Sequence, residues 1–315
     1  MAGKLRAGVA GAGVFGGYHA AKYRQAAEAG GVELVGIYDL DAVRAEAAAA
    51  THGVAAFSGD QLADFLGRID VLTIAVPAFA HAGIALEALE TGVHVYSEKP
   101  LATREDDGAA MVERAAQKGL VLACGHQERA VFEAMGLYAV PEQPLRIEAV
   151  RNGTASARNL DVSVVLDLMI HDLDLAITLS GSEAGGLEAT AKYRRDDGYD
   201  ATGADEVSAE VDFENGMTAV FRASRMAAAR ERTMRIVYPS GEVFIDLLNR
   251  RFDNATPFSL NADFADADIA RDPLGTSVLR FLDAVTGARR RPLCTGAEAL
   301  MALRLGLAID EAVGP

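Results

Sequence analysis

Between Leu5 and Gly125 the chain switches repeatedly between short apolar runs and Ala-rich helical stretches. LRAGVA passes through a glycine turn into a helical stretch from about Tyr18 to Ala29. VELVGIYD, VLTIAVP, VHVYSEK and LVLACG read as further strands, with DAVRAEAAAATHG, HAGIALEALETG and EDDGAAMVERAAQKG as helices between them. Strands this uniformly apolar are buried on both faces, and parallel neighbours need a crossover of this kind to connect them. The alternation therefore predicts an α/β unit: a parallel sheet with helices on both sides. Gly53, Gly92 and Gly119 stand where these helices should stop, in the left-handed position that closes many helices.

After about Cys124 the pattern changes. PLRIEAVRNGT, LEATAKYRRD, DEVSAEVDFENGMTAVFRASRM and ERTMRIVYPSGEVFIDLL alternate apolar and polar residues, and Asn215-Gly216 and Pro239-Ser240-Gly241 supply hairpin turns. These segments predict a second, α+β domain on an open, mainly antiparallel sheet, with one helix at about Val164–Leu179. The expected division is 1–124 and 125–315, in keeping with roughly 100–200 residues per domain. A last helix over about 295–313 is expected to pack back on the first domain.

The formal charge is −15, which leaves no basic footprint for nucleic acid. No run of about 18 apolar residues is present to span a bilayer, and the start of the chain lacks a signal-type segment. Cys124 and Cys294 are too few for a disulfide framework, so a reducing cytoplasm is the expected location.

Gly11-Ala12-Gly13-Val14-Phe15-Gly16 matches G-x-G-x-x-G after an apolar strand and at the head of a helix. Its glycines allow a tight turn, close approach to a pyrophosphate and close helix–strand packing, with Phe15 in the same loop. The next strand ends in Asp39, an acid able to bind the adenosine ribose of a Rossmann-bound dinucleotide; its simpler role is to cap the next helix, which Asp41 could do equally well. A carboxylate there repels a 2′-phosphate, so NAD is expected ahead of NADP; Arg44 lies close by in sequence. Further on, Pro77 with His81, and Glu98 with Lys99, fall just past strands, at the sheet edge where open α/β sheets bind ligands.

In VVLDLMIHDLDLAI nearly everything is apolar except a few ionisable groups. Asp167, His171 and Asp174 are spaced i, i+4, i+7 and would share one helical stripe. A metal pair, a structural His–Asp network and an acid–base stripe are all compatible with that spacing, the last being favoured. No further obvious His/Asp pair completes a coordination shell, so no metal is expected.

Together, the glycine motif, VPAFAHAGIALEALETGVHVYSEKPLAT and DLMIHDLDL resemble the glucose–fructose oxidoreductase/inositol dehydrogenase/rhizopine catabolism (Gfo/Idh/MocA) family. The resemblance implies a Rossmann domain followed by a sheet domain for substrate and oligomer contacts, as a dimer or tetramer. It implies catalytic roles for Lys99, Asp167 and His171, NAD held by Gly11, Gly13, Phe15, Gly16 and Asp39, and Pro77, His81 and Glu98 lining the nicotinamide side. It also suggests a cis Lys99–Pro100 bond. CGHQERAVFEAM and RNLDVSVVLDLMIHDLDLAITL look like the branch that oxidises UDP-N-acetylglucosamine at C3. Where that branch usually reads G-H-x-E-R-F-N-P, Ala130 and Val131 depart from it.

The resemblance and these residues together predict an NAD-dependent dehydrogenase acting on a sugar or sugar nucleotide. His171 would be the base, Asp167 its neighbour and Lys99 the cation beside the developing alkoxide. Arg129, Arg151 and Arg158 are expected to hold a diphosphate, unless they pair with the chain's many acids. An inositol or free-sugar dehydrogenase, an NAD-dependent glycosidase and a non-catalytic NAD-binding regulator are the alternatives.

Overall fold

The computed structural model describes residues 3–154, 161–193 and 203–314. The apolar runs of the first half form β1 (Leu5–Ala10), β2 (Val32–Asp39), β3 (Ala55–Ser58), β4 (Val71–Ile74), β5 (His94–Ser97) and β6 (Leu122–Cys124). They lie side by side in the order β3-β2-β1-β4-β5-β6, and every pairing is parallel. β4 is buried at every position, which is why its sequence shows no alternation. The strand order reverses between β1 and β4, and a ligand crevice forms outside the carboxyl ends of strands at such a point.

The helices between them are α1 (Val14–Ala29), α2 (Ala42–His52), the short α3 (Leu62–Leu66), α4 (His81–Glu90) and α5 (Glu105–Lys118). Asp41 caps α2 by accepting the backbone N–H groups of Val43 and Arg44 at 3.0 and 3.2 Å. Gly53 and Gly119 close α2 and α5 in the left-handed conformation, as expected for these glycines.

In the second half, β7 (Arg146–Asn152) to β13 (Arg251–Asn254) make a seven-stranded sheet. The remaining strands are β8 (Ala184–Lys192), β9 (Glu206–Phe213), β10 (Thr218–Ser224), β11 (Glu231–Tyr238) and β12 (Gly241–Asp246), ordered β13-β12-β11-β7-β10-β9-β8. Only β7 and β10 pair in parallel. Period-two alternation gives the sheet one apolar face, where Ile147, Ala209, Phe221, Met234 and Ile236 are buried. Phe132 and Met135 of α6 (Glu128–Met135) and Leu173 of α7 (Ile170–Ser180) cover it. On its other face Arg146 pairs with Glu148 and Glu210, and Arg235 with Glu242.

The helix expected at 164–179 forms in two pieces, a π-helical turn over Val165–Met169 running directly into α7. Asp167 therefore lies in a wider turn than α-helical spacing assumes.

The chain divides into two compact units, Met1–Gln127 with Asp272–Leu300, and Glu128–Arg271 with Met301–Pro315. α8 (Asp268–Arg271) precedes the return of the chain to the first unit, where α9 (Pro273–Thr286) places Val278, Phe281 and Leu282 among Val9, Tyr23 and Tyr96. α10 (Gly296–Val313) buries Leu305 and Ile309 in the core of the second unit. Among the described residues no helix is long and apolar enough to cross a membrane.

Candidate active site

Beyond β1 the backbone turns at Gly11, with φ of +105°. A Cβ there would lie 2.4 Å from the carbonyl oxygen of Ala75, so both conformation and space require glycine. At Gly16 a Cβ would lie 1.7 Å from the Gly11 carbonyl oxygen, and only glycine lets α1 approach the loop. Gly13 differs, because open space surrounds its Cβ position. It heads α1, and no side chain caps the helix. The first-turn N–H groups and the positive end of the helix dipole are thus available to a pyrophosphate.

Asp39 braces this loop from the end of β2. Its Oδ2 accepts the Ala12 N–H at 2.8 Å and its Oδ1 the Asp41 N–H at 2.9 Å, while Arg44 lies 3.2 Å from Oδ1. Since Asp41 caps α2, Asp39 is left to fix the loop. Val14, Phe15 and Tyr18 stay exposed on the first turns of α1, as do Leu40 and Val43 beyond Asp39. An uncapped helix head, a glycine cradle and an acid at the end of β2 fit an NAD dinucleotide.

Past β4 and β5 the chain carries Pro77, which is exposed, and Glu98-Lys99-Pro100, whose Lys99–Pro100 bond is cis. His81 needs a correction. It is buried, with Nδ1 2.8 Å from the Pro100 carbonyl oxygen and Nε2 3.0 Å from that of Val76. Both nitrogens face backbone, so His81 ties the two loops together instead of facing a ligand; burial depresses its basicity.

Glu98 is corrected in the same sense. Its buried Oε1 lies 2.7 Å from His19 Nε2 and accepts Gln127 Nε2 at 2.9 Å. Burial pushes its pKa up, but His19 and then Lys99 outweigh that and hold the carboxyl below the usual glutamate range. It anchors the backbone that presents the half-buried Lys99. His19 and Gln127 were not foreseen. The signal for His19 was its place in the buried stripe Gly16–His19–Tyr23–Ala26 of α1.

In the second unit Asp167 and His171 are both half-buried, whereas Asp172 and Asp174 are fully buried. The expected stripe is thereby divided. Asp174 takes a two-pronged contact from Arg129, at 2.8 Å to Nε and 2.6 Å to Nη2. Asp172 takes one from Arg151 at 2.9 and 2.8 Å, and Arg151 also donates to Glu128 at 3.0 and 2.6 Å. Arg129 and Arg151, expected to grip a diphosphate, are therefore buried partners of internal carboxylates. Burial alone would lower the pKa of Arg151, but Asp172 and Glu128 raise it well above its ordinary value. Arg158 lies outside the described residues.

Sequence profiles place these features in one family. Residues 5–126 match the GFO/IDH/MocA oxidoreductase family, NAD-binding Rossmann fold, and residues 143–243 match the GFO/IDH/MocA C-terminal domain. A UDP-N-acetylglucosamine 3-dehydrogenase from Acidithiobacillus ferrooxidans is 32% identical over 98% of this chain and 97% of its own. One crystal structure of that enzyme superposes with a TM-score of 0.87 at 31% identity, covering 99% of this chain and 98% of the other. The WlbA dehydrogenase from Bordetella pertussis, solved with NADH and UDP-GlcNAcA, shares the fold with a TM-score of 0.83 at 23% identity, covering 98% and 96%. An inositol 2-dehydrogenase from Saccharopolyspora erythraea is 31% identical, over 54% of this chain and 52% of its own. The glycine cradle braced by Asp39, the strand-end lysine and full-length likeness together make this chain a member of the GFO/IDH/MocA family, an NAD-dependent oxidoreductase.

Proposed function

We propose that the chain oxidises C3 of UDP-N-acetylglucosamine, or of a close UDP-hexosamine, with NAD as oxidant. The observation that carries this reading is the full-length likeness to the Acidithiobacillus enzyme, at 32% identity. The half-buried His171 supports it, because a neutral imidazole near pH 7 can take a hydroxyl proton. Asp167, within the π-helical turn, orients that ring or binds a neighbouring hydroxyl. Lys99 places positive charge beside the oxygen as the proton leaves. NAD, when bound, supplies the hydride acceptor. Gly11, Gly13, Phe15, Gly16 and Asp39 hold it, with Pro77 beside the nicotinamide.

In this reading the first unit is the dinucleotide domain. The second serves substrate binding and assembly, and the open face of its sheet supports a dimer or tetramer. Buried thiols at Cys124 and Cys294, with no disulfide, suit a cytoplasmic protein.

Purified protein with NAD and UDP-N-acetylglucosamine should produce NADH, with an aminotransferase or a carbonyl reagent drawing off the ketone. Lys99→Met and His171→Asn should each lower turnover at least ~10²-fold while NADH still binds. Readier turnover of myo-inositol would move the substrate to the inositol branch of the family. Elimination without net NADH would make the protein a glycosidase, and unchanged rates in both variants would relocate the chemistry.

A further inference from the structure

With Arg129 and Arg151 engaged by internal carboxylates, a cation of the second unit without an acid of its own becomes informative. Arg232 on β11 is such a cation. The strand register sets it directly opposite Arg151 of β7. It shares the sheet face of Met234 and Ile236, the face that the helices cover. The two carboxylates near it are Glu128 and Asp172, and Arg151 already holds both through four hydrogen bonds of 2.6 to 3.0 Å. Arg232 is half-buried and makes no side-chain hydrogen bond or ion pair among the described residues. Arg230, two residues earlier and exposed, adds a third guanidinium against two carboxylates.

That arrangement is unfavourable in the free protein. Burial first, and Arg151 next, hold the guanidinium below its ordinary basicity. An arginine cannot escape by losing its proton, so the charge stays and needs an anion. In a chain of net charge −15 a locally positive cluster is also where a dianion would collect. Asp172, one of the shared carboxylates, directly follows His171 in α7. Guanidinium forks match phosphoryl oxygens two at a time.

We propose that Arg232, with Arg230 at its rim, is the subsite for the diphosphate of the substrate; this rests on the sugar-nucleotide reading of the reaction. Binding there completes the hydrogen bonding of Arg232 and fixes the nucleotide end while the sugar meets His171.

The test uses full-length protein saturated with NADH, so that the glycine loop is occupied, titrated calorimetrically with UDP and with inorganic pyrophosphate. Arg232→Gln should weaken both at least ~10-fold, and Arg232→Lys should fall between, since it keeps the charge and loses the fork. The KM for UDP-N-acetylglucosamine should rise more than kcat falls. The ligand-free Tm of Arg232→Gln should equal or exceed that of the wild type, because the side chain satisfies nothing internal. Unchanged affinities, or a Tm several degrees lower with affinity intact, would overturn the subsite. Wild-type protein that binds neither probe at millimolar concentration would overturn it too. Oxidation of UDP-N-acetylglucosamine with an unmoved KM in Arg232→Gln refutes the subsite and leaves the reaction standing. Arg232-dependent UDP binding without oxidation of that sugar supports the subsite and refutes the substrate.

Discussion

His19 Nε2 and Glu98 Oε1 lie 2.7 Å apart, both side chains buried, and Glu98 is joined by one peptide bond to Lys99. The carboxyl is held below the ordinary glutamate pKa of about 4.3. Between that value and its lower folded value the native state binds fewer protons than the unfolded chain. The stabilisation is therefore complete above pH ~4.3 and is lost as pH falls through the folded pKa. Glu98→Gln should show a shallower fall of Tm with acidification than the wild type. Thermal unfolding from pH 7 to pH 3.5 measures it, and parallel curves would assign the acid lability to another group.

Gly16→Ala should abolish measurable NADH binding and lower Tm, because its Cβ would overlap the Gly11 carbonyl oxygen. Gly13→Ala meets open space at the same loop and should fold normally. Nicotinamide fluorescence and a melting curve separate the two. An alanine at 16 that binds NADH normally would mean the loop relaxes freely.

Arg129→Met tests whether that guanidinium serves the fold or a ligand. Removing one member of a buried pair takes the two-pronged contact away from Asp174, at a cost of about 3–5 kcal/mol. The double variant Arg129→Met/Asp174→Leu should recover much of that loss in chemical denaturation. A single variant of wild-type stability with a raised KM would return Arg129 to ligand binding.

Asp310 runs the other way. Burial first raises its carboxyl from 3.8 to about 6, against the 2.6 Å hydrogen bond donated by Ser163. Its Oδ1 has no partner among the described residues. The native state binds the extra proton between those two values, so stability rises as pH falls across that window. Asp310→Asn should be more stable than the wild type at pH 8, by at most about 2–3 kcal/mol, and nearly equal to it at pH 4. Equal Tm differences at both pH values would show that the charge is irrelevant.

The parallel sheet was legible because burial on both faces leaves its mark residue by residue, and the glycine motif because Gly11 and Gly16 each meet a steric demand that only glycine satisfies. The arginines were not. Arg151 finds its acids on α6 and α7, 23 and 21 residues away. Whether a guanidinium meets a ligand or a neighbour depends on register between β7 and those helices, which composition does not encode. His81 and Glu98 misled for a related reason. They fall at a sheet edge, as ligand-binding residues do, but backbone carbonyls and His19 reach them first. The return of 272–300 to the first unit is equally silent, since an amphipathic helix does not name the core it covers.

The wide turn at Val165–Met169 accommodates one residue more than an α-helix would place there. Deleting Leu168 or Met169 would let the segment close as a regular helix, with Asp167 three residues before His171 in place of four. Length, as well as identity, is therefore a heritable variable at this spot: a one-codon loss changes the angle at which carboxylate and imidazole present themselves, with both residues still present in the gene.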